Sequence, residues 1–180
     1  LVTIDRHPDV KRMLMLMRTR VEAARALAYY TAGLLDRAHA ETDAGVRQQQ
    51  LFMAEFLIPL VKGGSTEMGI DVTSLGIQIH GGMGFIEETG AAQFWRDARI
   101  TTIYEGTTGI QANDLIFRKL LRDGGATAQR LFVEIDSTVS ALQQDSAPSL
   151  QLVGQRLQEG LAQWRQVTER LLLVVENQPE

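Results

Sequence analysis

The residues with the greatest chemical potential lie in one stretch, from Gln78 to Gln111. It opens on a glycine-rich turn, Gly81-Gly82-Met83-Gly84, and continues through an adjacent arginine and aspartate, Arg96-Asp97. A β-branched run, Ile100-Thr101-Thr102-Ile103, then leads into Tyr104-Glu105-Gly106-Thr107. Glycines without a side chain let a backbone come very close to a ligand or another chain. A single glutamate at the end of an apolar run, followed at once by glycine, has a place to act as an acid or base. Thr108-Gly109-Ile110-Gln111 fits a T-x-x-Q capping box, which predicts a helix beginning just after the glutamate. Glu105 then sits on a tight connection beside a helix N-terminus, where N–H groups and the helix dipole favour an anion or a polar ligand. Spacing alone leaves two readings of Glu105 open: a general base, or a carboxylate that caps a helix at the surface.

These residues resemble the signature of the flavin-dependent acyl-CoA dehydrogenases, in which a Q-x-x-GG-x-G turn precedes RD-x-R-I and then YEGT-x-x-IQ. The matching positions are Gln78, Gly81, Gly82 and Gly84, then Arg96, Asp97, Arg99 and Ile100, then Tyr104, Glu105, Gly106, Thr107, Ile110 and Gln111. Three linked elements in the right order carry far more weight than one GG pair. The resemblance implies that Glu105 removes the α-proton of an acyl-CoA thioester and that FAD accepts the β-hydride, because the cofactor carries the redox chemistry. It implies that Gly106 leaves room for the thioester and that Thr107 lies near the flavin. It also implies that Gln78, Gly81 and Gly82 approach a flavin held by a neighbouring subunit. A free glutamate, with a pKa of about 4.3, is a weak base for such a proton. Enclosure in an apolar site and hydrogen bonds to the thioester oxygen narrow that gap.

The same resemblance implies a homodimer or homotetramer and an electron-transfer flavoprotein as electron acceptor. It covers the family's C-terminal helical domain, best from about Ile4 to Gly125; the tail beyond resembles the extended C-terminus of larger bacterial members. Those include enzymes acting on sulfur-containing thioesters such as methylmercaptopropionyl-CoA. Gly109 departs from the pattern, since relatives often carry a polar side chain there. The competing readings are a non-catalytic flavin-binding or DNA-associated relative and a module that serves oligomerisation only.

Other chemistries fare worse. His7, His39 and His80 lie far apart and show no metal-ligand spacing, so no metal site is expected; His80 reads as a hydrogen-bonded histidine at a helix end. With no cysteine, disulfide and thiolate chemistry are excluded, and a reducing, cytoplasmic setting fits. A net charge of −4 with interspersed signs argues against nucleic acid as the main partner. No apolar run is long enough to span a bilayer. The chain has 180 residues and begins with Leu, which suggests a piece of something longer.

The elements that must position these residues all read as helices, in an up-and-down bundle. From Pro8 to about Ala40, Val10, Leu14, Met17, Val21, Ala24 and Ala28 recur at threes and fours. Met13, Met15 and Met17 alternate by two, which spreads them around a helix as ordinary core filling rather than a binding stripe. A second helix is expected from Ala44 to Lys62, with Pro59 in its last turn and Gly63-Gly64 as its stop; a third is expected from Ser65 to His80. A short helix follows from Ala91 to Asp97, and Arg96 and Asp97 read as a buried ion pair locking the loop before Glu105, with direct substrate contact as the alternative. Ile100–Ile103 reads as a short strand or an extended linker. A helix from Thr108 to Arg122 stops at Gly124-Gly125. Residues 1–125 thus form the helical domain and 126–180 a hairpin extension, turned at Ser146-Ala147-Pro148. Its stripes are Leu131, Ile135, Val139 and Leu142, then Leu150, Val153, Leu157, Leu161, Trp164, Val167, Leu171 and Val174.

Overall fold

The computed structural model describes residues 2–176. Among them there is no strand, and the fold is all-α. Contacts divide the chain into two compact units, the first ending at Leu115 and the second starting at Ile116.

The first unit is built on two long helices. Helix α1, Pro8–Ala40, starts with proline in its first turn, where the missing N–H costs nothing. Helix α2, Ala44–His80, is capped by Asp43, whose carboxylate accepts from the Val46 N–H at 2.8 Å. The three-residue connection Glu41–Asp43 forces the pair antiparallel, and at 33 and 37 residues they extend for about 50 and 55 Å. Arg20 and Asp71 bridge them at 3.2 Å. The core between them takes Met13, Leu34 and Ala38 from α1 and Met53, Ala54, Phe56 and Leu57 from α2. Of the methionine trio only Met13 is buried and Met15 faces solvent, as alternation by two on a helix requires. Of the expected stripe on α1, Val10, Met17, Ala24 and Ala28 are half-buried, whereas Leu14 and Val21 are exposed.

Helix α2 corrects the expectation of two helices. Pro59 and Gly63 lie inside it and both are buried; Ser65 caps nothing. Gly63 is buried against another element: a Cβ there would be in ordinary contact, 3.6 Å from Gln111 Cβ. Close tertiary packing outweighs the roughly 1 kcal/mol helix penalty of a glycine. Thr66 and Thr73 turn their hydroxyls back onto the carbonyls of Lys62 and Gly69, at 2.8 Å each, rather than breaking the helix.

The rest of the unit packs on α2. Helix α3, Gly82–Phe85, is a single turn, and helix α4, Ala91–Thr101, lays Ala91 and Ala92 against the bundle. Helix α4 takes in Ile100 and Thr101, and Thr102 and Ile103 form a turn, so the β-branched run is neither strand nor extended linker. Helix α5, Thr108–Asn113, also meets α2 and continues as a π-helical segment, Asp114–Leu120, and a 3-10 turn, Leu121–Asp123. That run ends at Gly124, in the left-handed conformation expected of a helix stop.

The second unit is a helical hairpin, α6 (Ala126–Gln143) against α7 (Pro148–Glu176). Phe132 is fully buried and meets Trp164 edge to face at 5.1 Å between ring centres. Arg165 pairs with Asp136 and stacks over the Phe132 ring. Leu131, Val139 and Leu161 complete the core, whereas Val153, Val167 and Val174 are exposed. Thr168 and Gly154 occupy the buried face instead, the glycine letting α7 approach Leu142.

Candidate active site

The path to Glu105 begins where α4 ends. Thr102 is buried and satisfied: its hydroxyl donates to the Arg99 carbonyl at 3.1 Å and accepts from the Arg99 guanidinium. Ile103 and Tyr104 donate their N–H groups to the Ile100 carbonyl at 3.0 and 3.1 Å. The Thr108 N–H donates to the Thr102 carbonyl at 3.3 Å and closes the loop. Between these anchors the backbone turns left-handed twice, at Glu105 (φ 54°) and Gly106 (φ 88°). Glu105 is the only non-glycine residue with positive φ among the described residues. Such a conformation costs about 1–3 kcal/mol and persists only where the surroundings hold it.

Three side chains supply that hold. Lys62 of α2 donates to the Gly106 carbonyl, and its ammonium lies 6.0 Å from the Tyr104 ring centre. Gln111 of α5 donates to the Glu105 carbonyl at 3.4 Å. Thr108 donates to Glu67 of α2 at 2.7 Å. Thr107, not Thr108, is the N-cap of α5: its hydroxyl oxygen accepts from the Ile110 N–H at 3.3 Å, which leaves its own proton to donate elsewhere. The register differs from the expected capping box because Thr107 holds the extended backbone (ψ 164°) that an N-cap needs, whereas Thr108 is already helical. A side chain at Gly106 would be strained by its φ of 88° and would push aside the Gln111 amide, 2.9 Å from where a Cβ would stand. The Glu105 carboxylate is exposed and makes no hydrogen bond or ion pair among the described residues. Tyr104, Ile103, Ile100 and Ile110 around it are exposed too. Any apolar enclosure of Glu105 therefore has to come from outside these residues.

The glycine turn lies elsewhere. Gly81 ends α2 with φ 63° and ψ −144°, a conformation that glycine alone adopts readily. Its N–H donates to the Gln78 carbonyl at 3.1 Å. Gly81 and Gly82 are exposed, with open space where a Cβ would be, and the Gln78 side chain borders an open groove of about 690 Å³ with Ser74, Ile77, Phe85 and Trp95. The backbone is thus bare on its outer side, which suits close approach of a polar cofactor. Gln78, Gly81 and Gly82 come together, and so do Glu105, Gly106 and Thr107, but the two groups stand apart. The Glu105 loop meets α2 at Lys62, Gly63 and Glu67; from Lys62 to Gln78 that helix rises by about 24 Å.

Arg96 and Asp97 are not a buried ion pair. Arg96 donates to Gln93 at 2.9 Å and lies 3.5 Å from Glu87, while Asp97 accepts from Gln93 at 2.7 Å; both are exposed. Neighbours on a helix diverge by about 100°, and the locking bond is made by Arg99 to Thr102 instead. His80 is hydrogen-bonded as expected, Nδ1 to the Gly76 carbonyl at 2.8 Å. No three His, Asp or Glu residues converge in a metal-binding group among the described residues, and no helix there is long and apolar enough to cross a membrane. Sequence reasoning missed Lys62, Glu67 and Gln111 as supports of the loop. One signal was available for Lys62, the only lysine in the 37 residues of α2.

The chain belongs to the acyl-CoA dehydrogenases: residues 2–120 match the acyl-CoA dehydrogenase, C-terminal domain. The chain is 54% identical over 179 residues to the 3-methylmercaptopropionyl-CoA dehydrogenase of Ruegeria pomeroyi, covering 99% of this chain and 30% of that protein. It is 39% identical over 141 residues to the broad-specificity linear acyl-CoA dehydrogenase FadE5 of Mycobacterium tuberculosis, covering 78% of this chain and 23% of that protein. The chain thus spans less than a third of the length of these curated relatives. The solved apo form of Bd2924 shares the fold with a TM-score of 0.67 at 20% identity, over 94% of this chain and 34% of that one.

Proposed function

We propose that this chain is the C-terminal part of a FAD-dependent acyl-CoA dehydrogenase in which Glu105 is the base that removes the substrate's α-proton. The observation that carries the reading is the Glu105 carboxylate itself: unpaired, exposed, and presented on a left-handed turn that the fold goes out of its way to maintain. A carboxylate with no internal partner on a costly backbone conformation has no evident structural purpose. Gly106 has no side chain to stand between its backbone and a thioester, and the Glu105 N–H, unpaired among the described residues, is available to the thioester oxygen. Bound FAD supplies the hydride acceptor for the β-carbon. Thr107, whose hydroxyl proton is left free by its cap bond, is the residue offered to the flavin.

The separation along α2 supports a division of labour. Glu105, Gly106 and Thr107 serve the site of their own subunit, whereas Gln78, Gly81 and Gly82 present bare backbone to the flavin of a neighbouring copy in a homodimer or homotetramer. We further propose that the substrate is a short acyl-CoA with a sulfur-bearing chain, on the strength of the Ruegeria relative, whose similarity runs through the C-terminal hairpin. An electron-transfer flavoprotein is the expected acceptor, and the cysteine-free composition suits a reducing cytoplasm.

The test is the Glu105→Gln variant of the full-length protein, followed by its visible spectrum. Flavin should remain bound while bleaching by 3-methylmercaptopropionyl-CoA or a straight-chain acyl-CoA slows by about 10²–10⁴-fold or more. Bleaching at the wild-type rate would assign the base to another residue.

A further inference from the structure

We propose that Lys62, together with Gln111, is a positioning residue for Glu105, holding the two peptide groups that follow the carboxylate so that it stands ready to take a proton. The inference rests on the reading of Glu105 as the base.

A lysine on a helix usually reaches water or a carboxylate. Lys62 is half-buried, has no carboxylate within ion-pair distance among the described residues, and instead spans 44 positions of sequence to donate to the Gly106 carbonyl. Its ammonium also lies 6.0 Å from the ring centre of Tyr104, the residue before the base. Gln111 takes the carbonyl one residue earlier, that of Glu105. The C=O and N–H of a trans peptide point in opposite directions. Drawing the Glu105 carbonyl to Gln111 therefore aims the Gly106 N–H away from α5, and drawing the Gly106 carbonyl to Lys62 aims the Thr107 N–H away from α2. Two planes fixed in succession set the φ and ψ of Gly106 and, through it, the direction in which the Glu105 side chain leaves the backbone.

The packing beneath leaves this clamp little freedom. Gly63, the next residue after Lys62, is buried with its bare face toward Gln111, so both donors are seated on one helix contact. Thr108 and Glu67 fasten the far side of the turn to the same helix. Without the two donors, residue 105 would relax from its left-handed conformation to an ordinary one and swing the carboxylate away.

The experiment uses the full-length flavoprotein and compares Lys62→Met, Lys62→Arg and Glu105→Gln. Substrate-driven flavin bleaching in a single turnover gives the proton-abstraction rate, and titration with a non-reacting thioether analogue of the acyl-CoA gives ligand affinity. Lys62→Met should bleach about 10- to 100-fold more slowly, the scale of a misplacement of about 1 Å, while ligand affinity changes by less than about threefold. Lys62→Arg, whose guanidinium can donate to the same carbonyl, should recover most of the rate. A wild-type bleaching rate in Lys62→Met, even with a lowered melting temperature, would make Lys62 a stability residue and overturn the proposal. So would a loss confined to ligand affinity. Should Lys62→Met fail to fold, Gln111→Ala reads the same rate, and a wild-type value there overturns the clamp. Glu105→Gln separates the two claims: if it bleaches normally, the base has been misassigned; if it is inert while Lys62→Met is normal, only the positioning role falls.

Discussion

Gly84 packs against Ile77 so closely that a methyl group in place of its hydrogen would stand 2.3 Å from the Ile77 carbonyl oxygen and 2.9 Å from His80 Cβ. Backbone cannot yield as a flexible side chain can. Gly84→Ala should therefore unseat helix α3 and lower stability by about 1–3 kcal/mol, read as a fall in the thermal midpoint. An unchanged midpoint would mean that α3 packs less tightly on α2 than described.

Gly82 makes the complementary case two residues earlier. Nothing lies within 4 Å of where its Cβ would be, and its φ is not in the left-handed range. In the full-length protein Gly82→Val should thus leave the fold within about 0.5 kcal/mol of wild type yet weaken flavin retention or assembly, because a branched side chain blocks approach from outside. Flavin content and sedimentation check this. A full flavin complement in the wild-type oligomer would remove the assigned role of the turn.

How much of this was legible in the sequence follows from what kind of interaction fixed each feature. Local signals served well: Pro8 started α1, Gly124 ended the run after α5, and Pro148 opened α7. Where a contact distant in sequence decides, the local signal misled. Gly63-Gly64 looks like a stop, yet Gly63 is buried in mid-helix beside Gln111, a neighbour read only once the fold brings α5 to α2. Arg96-Asp97 looks like a pair because the charges are adjacent, but both are exposed and each bonds Gln93, with Glu87 as the second partner of Arg96. At the site, the glutamate and the glycines stand out in the sequence because their types are special. Lys62 does not, and Gln111 stands out only as a motif position, since the roles of both come from the carbonyls they face.

Glu105 itself carries a conflict between stability and activity that a single substitution exposes. Its left-handed backbone suits glycine, so Glu105→Gly relieves strain while adding freedom to the unfolded chain, and the two effects oppose each other. The variant should be as stable as wild type, within about 1 kcal/mol, although it removes the carboxylate and with it proton abstraction. Glu105→Val, β-branched at the same φ, should be clearly less stable than either. Thermal unfolding of the two variants side by side decides the matter; equal midpoints would show that the turn relaxes at no cost.

The 180-residue chain taken alone provides the last prediction. It should fold as helix, associate with itself and hold no stoichiometric FAD. Folding is expected because each unit has a core of its own, around Phe56 and Leu57 in the first and around Phe132 in the second. Self-association is expected because large apolar side chains stand in water, Phe85 at 82% exposure, Phe94 at 70% and Tyr29 at 71%. Apolar surface left uncovered in this way seeks a partner. Flavin should be absent because the Glu105 loop and the glycine turn lie about 24 Å apart on α2, and neither offers more than a few exposed groups to a cofactor. Sedimentation and a visible spectrum of the purified fragment give the answer. A monomer would show that the apolar face needs no covering, and a yellow sample would show that one of the two stations binds flavin unaided.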